Sequence, residues 1–98
     1  LPFEPDAMGK YWDSEIEVDC AAINHKHRSM LIGEAKWTNK KCDLKVLDAL
    51  NKKSQHLSKK FGHHVNKIIF SKSGFDEKLK ERAKIENVRL VCAEEVLS

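Results

Sequence analysis

The hydrophobic period changes from two to helical along this chain, and that change limits the folds open to it. Residues 15–23 read Glu-Ile-Glu-Val-Asp-Cys-Ala-Ala-Ile, where Ile16, Val18 and Cys20 alternate with Glu15, Glu17 and Asp19. A period of two is that of a strand. Residues 30–37, Met-Leu-Ile-Gly-Glu-Ala-Lys-Trp, start apolar and end charged. The short polar stretch 24–28 between these two segments predicts a hairpin. After a break at 38–41, Leu44, Leu47, Leu50, Leu57 and Phe61 recur at helical spacing. They predict a helix over 43–60, with Asp43 at its start and Gly62 as its C-cap. Residues 65–70 predict a strand, 71–74 a turn, 76–86 a charged helix resting on Leu79, Ala83 and Ile85, and 88–92 a last strand. Residues 94–97 would begin another helix. Residues 1–9 hold both prolines and read as an irregular lead-in, followed by a weak strand at 10–13.

The resulting order is β-β-α-β-α-β. A hairpin followed by crossover helices gives an α/β fold, a mixed sheet flanked by helices. The 98 residues suit one domain (1–98) with one modest core. That size excludes a complete P-loop ATPase and a dinucleotide-binding enzyme with a separate substrate domain. The chain opens Leu1-Pro2-Phe3 without an initiator Met, so it reads as a piece of a longer protein. No apolar run approaches the roughly 18–20 residues that span a bilayer, so no membrane partner is expected. Cys20, Cys42 and Cys92 are odd in number and form no Cys-x-x-Cys pair. Reduced thiols in a cytoplasmic setting are expected, with Cys20 and Cys92 acting as small hydrophobes in their strands.

The chemistry-bearing candidates lie on the first two strands. Residues i and i+2 of a strand share a face, so Glu17 pairs with Asp19 and Glu34 with Lys36. Across a hairpin, Asp19 and Glu34 can converge with Lys36 beside them. Two carboxylates on stiff elements offer the oxygen ligands that Mg2+ or Mn2+ prefers, and an adjacent ammonium can offset phosphate charge. The same four residues also suit a solvated strand face with cross-strand ion pairs. An acid-x-Lys triplet is a weak signal, since Asp43-Leu44-Lys45 and Asp76-Glu77-Lys78 repeat it at helix starts.

Glu17-Val18-Asp19 followed by Gly33-Glu34-Ala35-Lys36-Trp37 resembles the signature of the PD-(D/E)XK nucleases, the restriction-endonuclease-like superfamily. The likeness is closest to the C-terminal domain carried by archaeal-type DEXX-box P-loop ATPases. Trp12-Asp13, Asn39-Lys40, the stripe from Leu44 to Leu50 and the turn from Ser71 to Phe75 fit that domain in order. The resemblance covers roughly residues 10–92. It implies a restriction-endonuclease-like core and metal-dependent hydrolysis of DNA phosphodiesters. Asp19 and Glu34 would be ligands for Mg2+ or Mn2+, Lys36 the catalytic lysine and Glu17 an auxiliary carboxylate. It also implies DNA and an N-terminal ATPase domain as partners, and a homodimer is open because many nucleases of this fold act as dimers. The alternative is a non-catalytic module of the same fold that binds DNA or docks onto its ATPase domain.

Eighteen Lys and Arg against fifteen Asp and Glu leave a net charge of +3. The excess gathers around the first helix at Lys40, Lys41, Lys45, Lys52, Lys53, Lys59 and Lys60. Of these, Lys40, Lys41, Lys45 and Lys52 are candidate phosphate contacts; a solvated amphipathic helix is the alternative. Trp37 is expected to pack the sheet edge rather than stack on a base. His25, His27, His63 and His64 lack partners at zinc spacing and read as surface-loop residues.

Overall fold

The computed structural model describes residues 5–93. Five strands and two helices follow in order: β1 (Ala7–Trp12), β2 (Glu17–Asn24), β3 (Ser29–Lys36), α1 (Leu44–Phe61), β4 (His64–Ser71), α2 (Glu77–Glu86) and β5 (Arg89–Cys92). They form one mixed sheet in the spatial order β1-β2-β3-β4-β5. The β1–β2 and β2–β3 pairs are antiparallel; β3–β4 and β4–β5 are parallel. The lead-in expected at 1–9 is corrected in part, because Ala7 to Gly9 already pair with β2. The expected helix at 94–97 lies outside the described residues.

Both helices have side-chain caps. The Asp43 carboxylate accepts the Lys45 N–H of α1, and Asp76 accepts that of Leu79 in α2. Gly62 closes α1 at φ 66°, donating its N–H to Ser58, a left-handed position that costs glycine little. The two crossovers run in the same direction across the sheet. Right-handed connections therefore set α1 and α2 on one face, where Asn51 of α1 donates to Glu86 of α2.

The core lies between that face and the helices. Met30 and Ile32 of β3 and Ile69 of β4 meet Leu47, Leu50 and Leu57 of α1 and Leu79 and Ala83 of α2. Ile85 does not join them and is 81 % exposed. Two residues past Ala83, it is turned about 200° around the helix. The opposite sheet face has no helix over it among the described residues, and Met8 and Phe70 are exposed there.

The tip of the β1–β2 hairpin is tied onto α1. Asp13 Oδ1 accepts the N–H groups of Glu15 and Ile16, shaping the turn. Its Oδ2 takes the Tyr11 hydroxyl at 2.8 Å, His56 Nε2 at 2.7 Å and Lys60 Nζ at 3.1 Å. His56 Nδ1 lies 3.0 Å from Glu15. This acceptor, saturated on both oxygens, holds the Asp13 carboxyl far below the usual carboxylate range, chiefly through His56.

Candidate active site

The β2–β3 ladder opens at the candidate carboxylates. Its last paired residues are Cys20 and Gly33, whereas β3 continues to pair with β4 as far as Lys36 and Ser71. On the other side of β2 the register slips at the same point. Gly9 faces Ala21 and Tyr11 faces Val18, so two steps along β1 match three along β2. A bulge of this kind re-aims the side chains it carries, and here it lies at Asp19 and Cys20. Asp19 Oδ2 accepts the Ala35 N–H at 2.9 Å, so a carboxylate serves a backbone donor where the β2–β3 pairing has ended.

Gly33 is the floor of this opening. A Cβ there would stand 2.5 Å from Cys20 Sγ and 3.0 Å from Ile68 Cγ2, so only glycine admits the sulfur without a shift. Cys20 is an exposed residue rather than the interior one expected. Its thiol is nonetheless raised above the ordinary range, first by burial and then by Asp19 and Glu34.

Asp19 and Glu34 are brought together. Their side chains lie within reach of each other, and that proximity lowers the Asp19 pKa and raises that of Glu34. The largest cause differs for each. For Asp19 it is the Ala35 N–H; for Glu34, only 7 % exposed, it is burial. Lys36 is exposed, and its charge favours ionised Asp19. Glu17 does not join the pair: it is exposed and forms an ion pair with Lys10.

The residue missed in the sequence is Lys53. Its ammonium donates to Glu34 Oε1 at 2.6 Å, and its charge also reaches Asp19. The signal was the seven-residue gap between Leu50 and Leu57 in the apolar stripe of α1. A lysine stands at +3 from one fully buried leucine and −4 from the other, hence over the sheet. The expected basic face thus divides. Lys53 and Lys60 are engaged with Glu34 and Asp13, while Lys40, Lys41, Lys45 and Lys52 are exposed.

The loop carrying Lys40 and Lys41 is pinned to the β4–α2 loop. Ser73 Oγ donates to the Thr38 carbonyl, and Cys42 pairs backbone-to-backbone with Gly74 and Asp76. These loops lie at the carboxyl ends of the parallel strands, where open α/β sheets place their ligands. Trp37 is 68 % exposed, so it is not packed against the sheet edge as expected. His63, expected at the surface, is buried beside His25, 3.1 Å from Nε2 to Nδ1.

No cluster of three or more His, Cys, Asp or Glu suited to a metal occurs among the described residues. The pair itself fits a hard divalent cation. Two carboxylates close together at an opening of the sheet supply oxygen donors, and Mg2+ commonly binds through one or two carboxylates with water and phosphate completing its shell.

Residues 1–47 match the DUF234 family, described as archaea bacterial proteins of unknown function. No curated protein matches the chain in sequence. A repair endonuclease from Pyrococcus abyssi superposes with a TM-score of 0.62 at 14 % identity, over 89 % of this chain and 38 % of that one. A structure of an EndoMS–dsDNA2 complex gives 0.60 at 11 % identity, over 89 % and 36 %. The chain thus spans little more than a third of the length of either neighbour. At these identities the likeness concerns architecture: the five-stranded mixed sheet with two helices is a restriction-endonuclease-like fold, similar to that of these endonucleases.

Proposed function

We propose that this chain is a nuclease domain that hydrolyses DNA phosphodiesters with Mg2+ or Mn2+. The observation that carries the reading is the closeness of the Asp19 and Glu34 carboxylates where the β2–β3 ladder opens, with Lys36 close enough to act on Asp19. Asp19 and Glu34 would hold the cation, which would supply positive charge to the scissile phosphate and acidify an attacking water. The Ala35 N–H fixes the Asp19 carboxylate, and the buried position of Glu34 fixes the other. Lys36, exposed at the strand end, would donate to the phosphate or to the water and offset the charge that builds there. Lys40, Lys41, Lys45 and Lys52 would track the DNA backbone. The Gly33–Trp37 resemblance would place this domain beside a DEXX-box ATPase domain in a longer chain with a cytoplasmic setting.

Cleavage of supercoiled and branched DNA with Mg2+ or Mn2+ tests this. The wild type is expected to cut, and Glu34→Ala and Lys36→Ala to lose at least roughly a hundredfold in rate. Equal cleavage by all three proteins, or none by the wild type with either metal, removes the reading.

One observation favours a second reading, a non-catalytic module that binds DNA or docks on the ATPase domain: Glu34 already has a cationic partner in Lys53. On that reading DNA binding survives Glu34→Ala. Its salt slope falls by about 0.9 for each phosphate-contacting lysine removed.

A further inference from the structure

We infer that the Lys53 ammonium is a built-in counter-ion of the acidic pair, which a divalent cation must displace from Glu34 in order to bind. The inference rests on the metal site proposed above and concerns what regulates its filling. Lys53 Nζ stands 2.6 Å from Glu34 Oε1, and the Glu34 side chain is only 9 % exposed. A divalent cation on that oxygen would sit at roughly 2.1 Å, so the two positive charges would share one carboxylate edge and repel each other strongly.

The surroundings allow an exchange. Lys53 projects from α1 between Leu50 and Leu57, and its side chain keeps 28 % of its surface exposed. Its flexible stem can lie along this apolar wall while the ammonium swings outward to water. Lys36 is not part of this contact; it is exposed at the strand end. The two lysines then divide the work: Lys36 faces the substrate, and Lys53 is a positioning residue that neutralises Glu34 until a cation arrives. The site fills only when metal is abundant enough to outcompete the ammonium.

Direct Mn2+ binding without DNA tests this, read at pH 8 from the paramagnetic resonance of free Mn2+. Lys53→Met keeps the stem and removes the charge, and Lys53→Gln is a second variant; thermal melts establish that each is folded. Both are expected to bind Mn2+ roughly tenfold more tightly than the wild type, and adding Glu34→Gln to either should abolish the gain. Binding seen only in the Lys53 variants, and lost with Glu34→Gln, supports the inference equally. Glu34-dependent binding that is unchanged or weaker in both variants overturns it and leaves the metal site standing. Absence of Glu34-dependent binding in every protein overturns both.

Discussion

Asp13 and Glu34 are acidic side chains held by cations of the same helix, and their surroundings push them in opposite directions. Asp13 receives two backbone N–H groups, a tyrosine hydroxyl, His56 and Lys60, and its carboxyl sits far below the ordinary range. Glu34 receives one ammonium, lies against a second carboxylate, and is raised by burial. A carboxylate whose lone pairs are filled by the protein is a structural anchor, with nothing left to offer a ligand. A carboxylate that is buried, crowded by another acid and thinly neutralised is poised for an external cation. Lys53, His56 and Lys60, at spacings of three and four on α1, serve both centres, so the contrast comes from the strands: a tight turn around Asp13, an opened ladder around Glu34.

The widest separation between the two centres should appear when each acid is neutralised in turn. Glu34→Gln is expected to lose at least roughly a hundredfold in DNA cleavage while its melting temperature stays within a degree or two of the wild type, because an ionised Glu34 is disfavoured by its surroundings. Asp13→Asn is expected to lower the melting temperature by several degrees and to keep its cleavage rate at temperatures where it is folded. Calorimetry and a cleavage assay on both variants check this. A Glu34→Gln protein as unstable as Asp13→Asn would break the distinction between anchor and ligand.

Acid titration separates the same two groups by sign. The folded-state pKa of Asp13 is depressed, so its stabilisation is complete above the unfolded value of about 3.9 and is lost as pH falls below it toward the folded value. Glu34 is raised, so its ionisation costs stability, and that cost disappears as pH falls through its folded value toward the ordinary one. Urea melts between pH 2.5 and 7 should show a flatter acid limb for Asp13→Asn than for the wild type. For Glu34→Gln the small relief before that limb should be missing. Parallel curves for all three proteins would mean that neither carboxyl is perturbed in the folded state.

Much of this architecture was legible because hydrophobic period reports which side of an element is covered. β2, β3, α1, β4, α2 and β5 each carry such a pattern, and the alternation around Glu34 pointed to its face. β1 was obscured at its start, where Gly9 interrupts the pattern and the pairing depends on β2 rather than on local preference. Ile85 misled because residue type is a weaker guide than angular position. The approach of Asp19 to Glu34 was expected from hairpin geometry, but the bulge that re-aims Asp19 depends on pairing with β1, which no local pattern records. Lys53 belongs to a lysine cluster that suits either a phosphate-tracking face or a solvated helix, and both readings put it at the surface, where lysines nearly always lie; its place in the gap of the leucine stripe is the contrary sign.

The smallest expected effect probes what opens the ladder. Gly33 and Cys20 are the last paired residues before the acids, and a methyl on Gly33 would collide with Cys20 Sγ at 2.5 Å and press on Ile68 Cγ2 at 3.0 Å. Gly33→Ala is expected to cost about 1 kcal/mol, the low end for overpacking, because the sulfur can turn away about a single bond while Ile68 yields slightly. Cys20→Ala removes the obstructing sulfur, so the double variant should recover most of that loss, and urea melts on the four proteins measure the coupling. A shift of this pair also moves Asp19 relative to the Ala35 N–H. Cleavage by Gly33→Ala should therefore fall further than its stability alone accounts for, and return in the double variant. Additive costs with no recovery would show that the close approach of Cys20 to Gly33 does not set the geometry of the acidic pair.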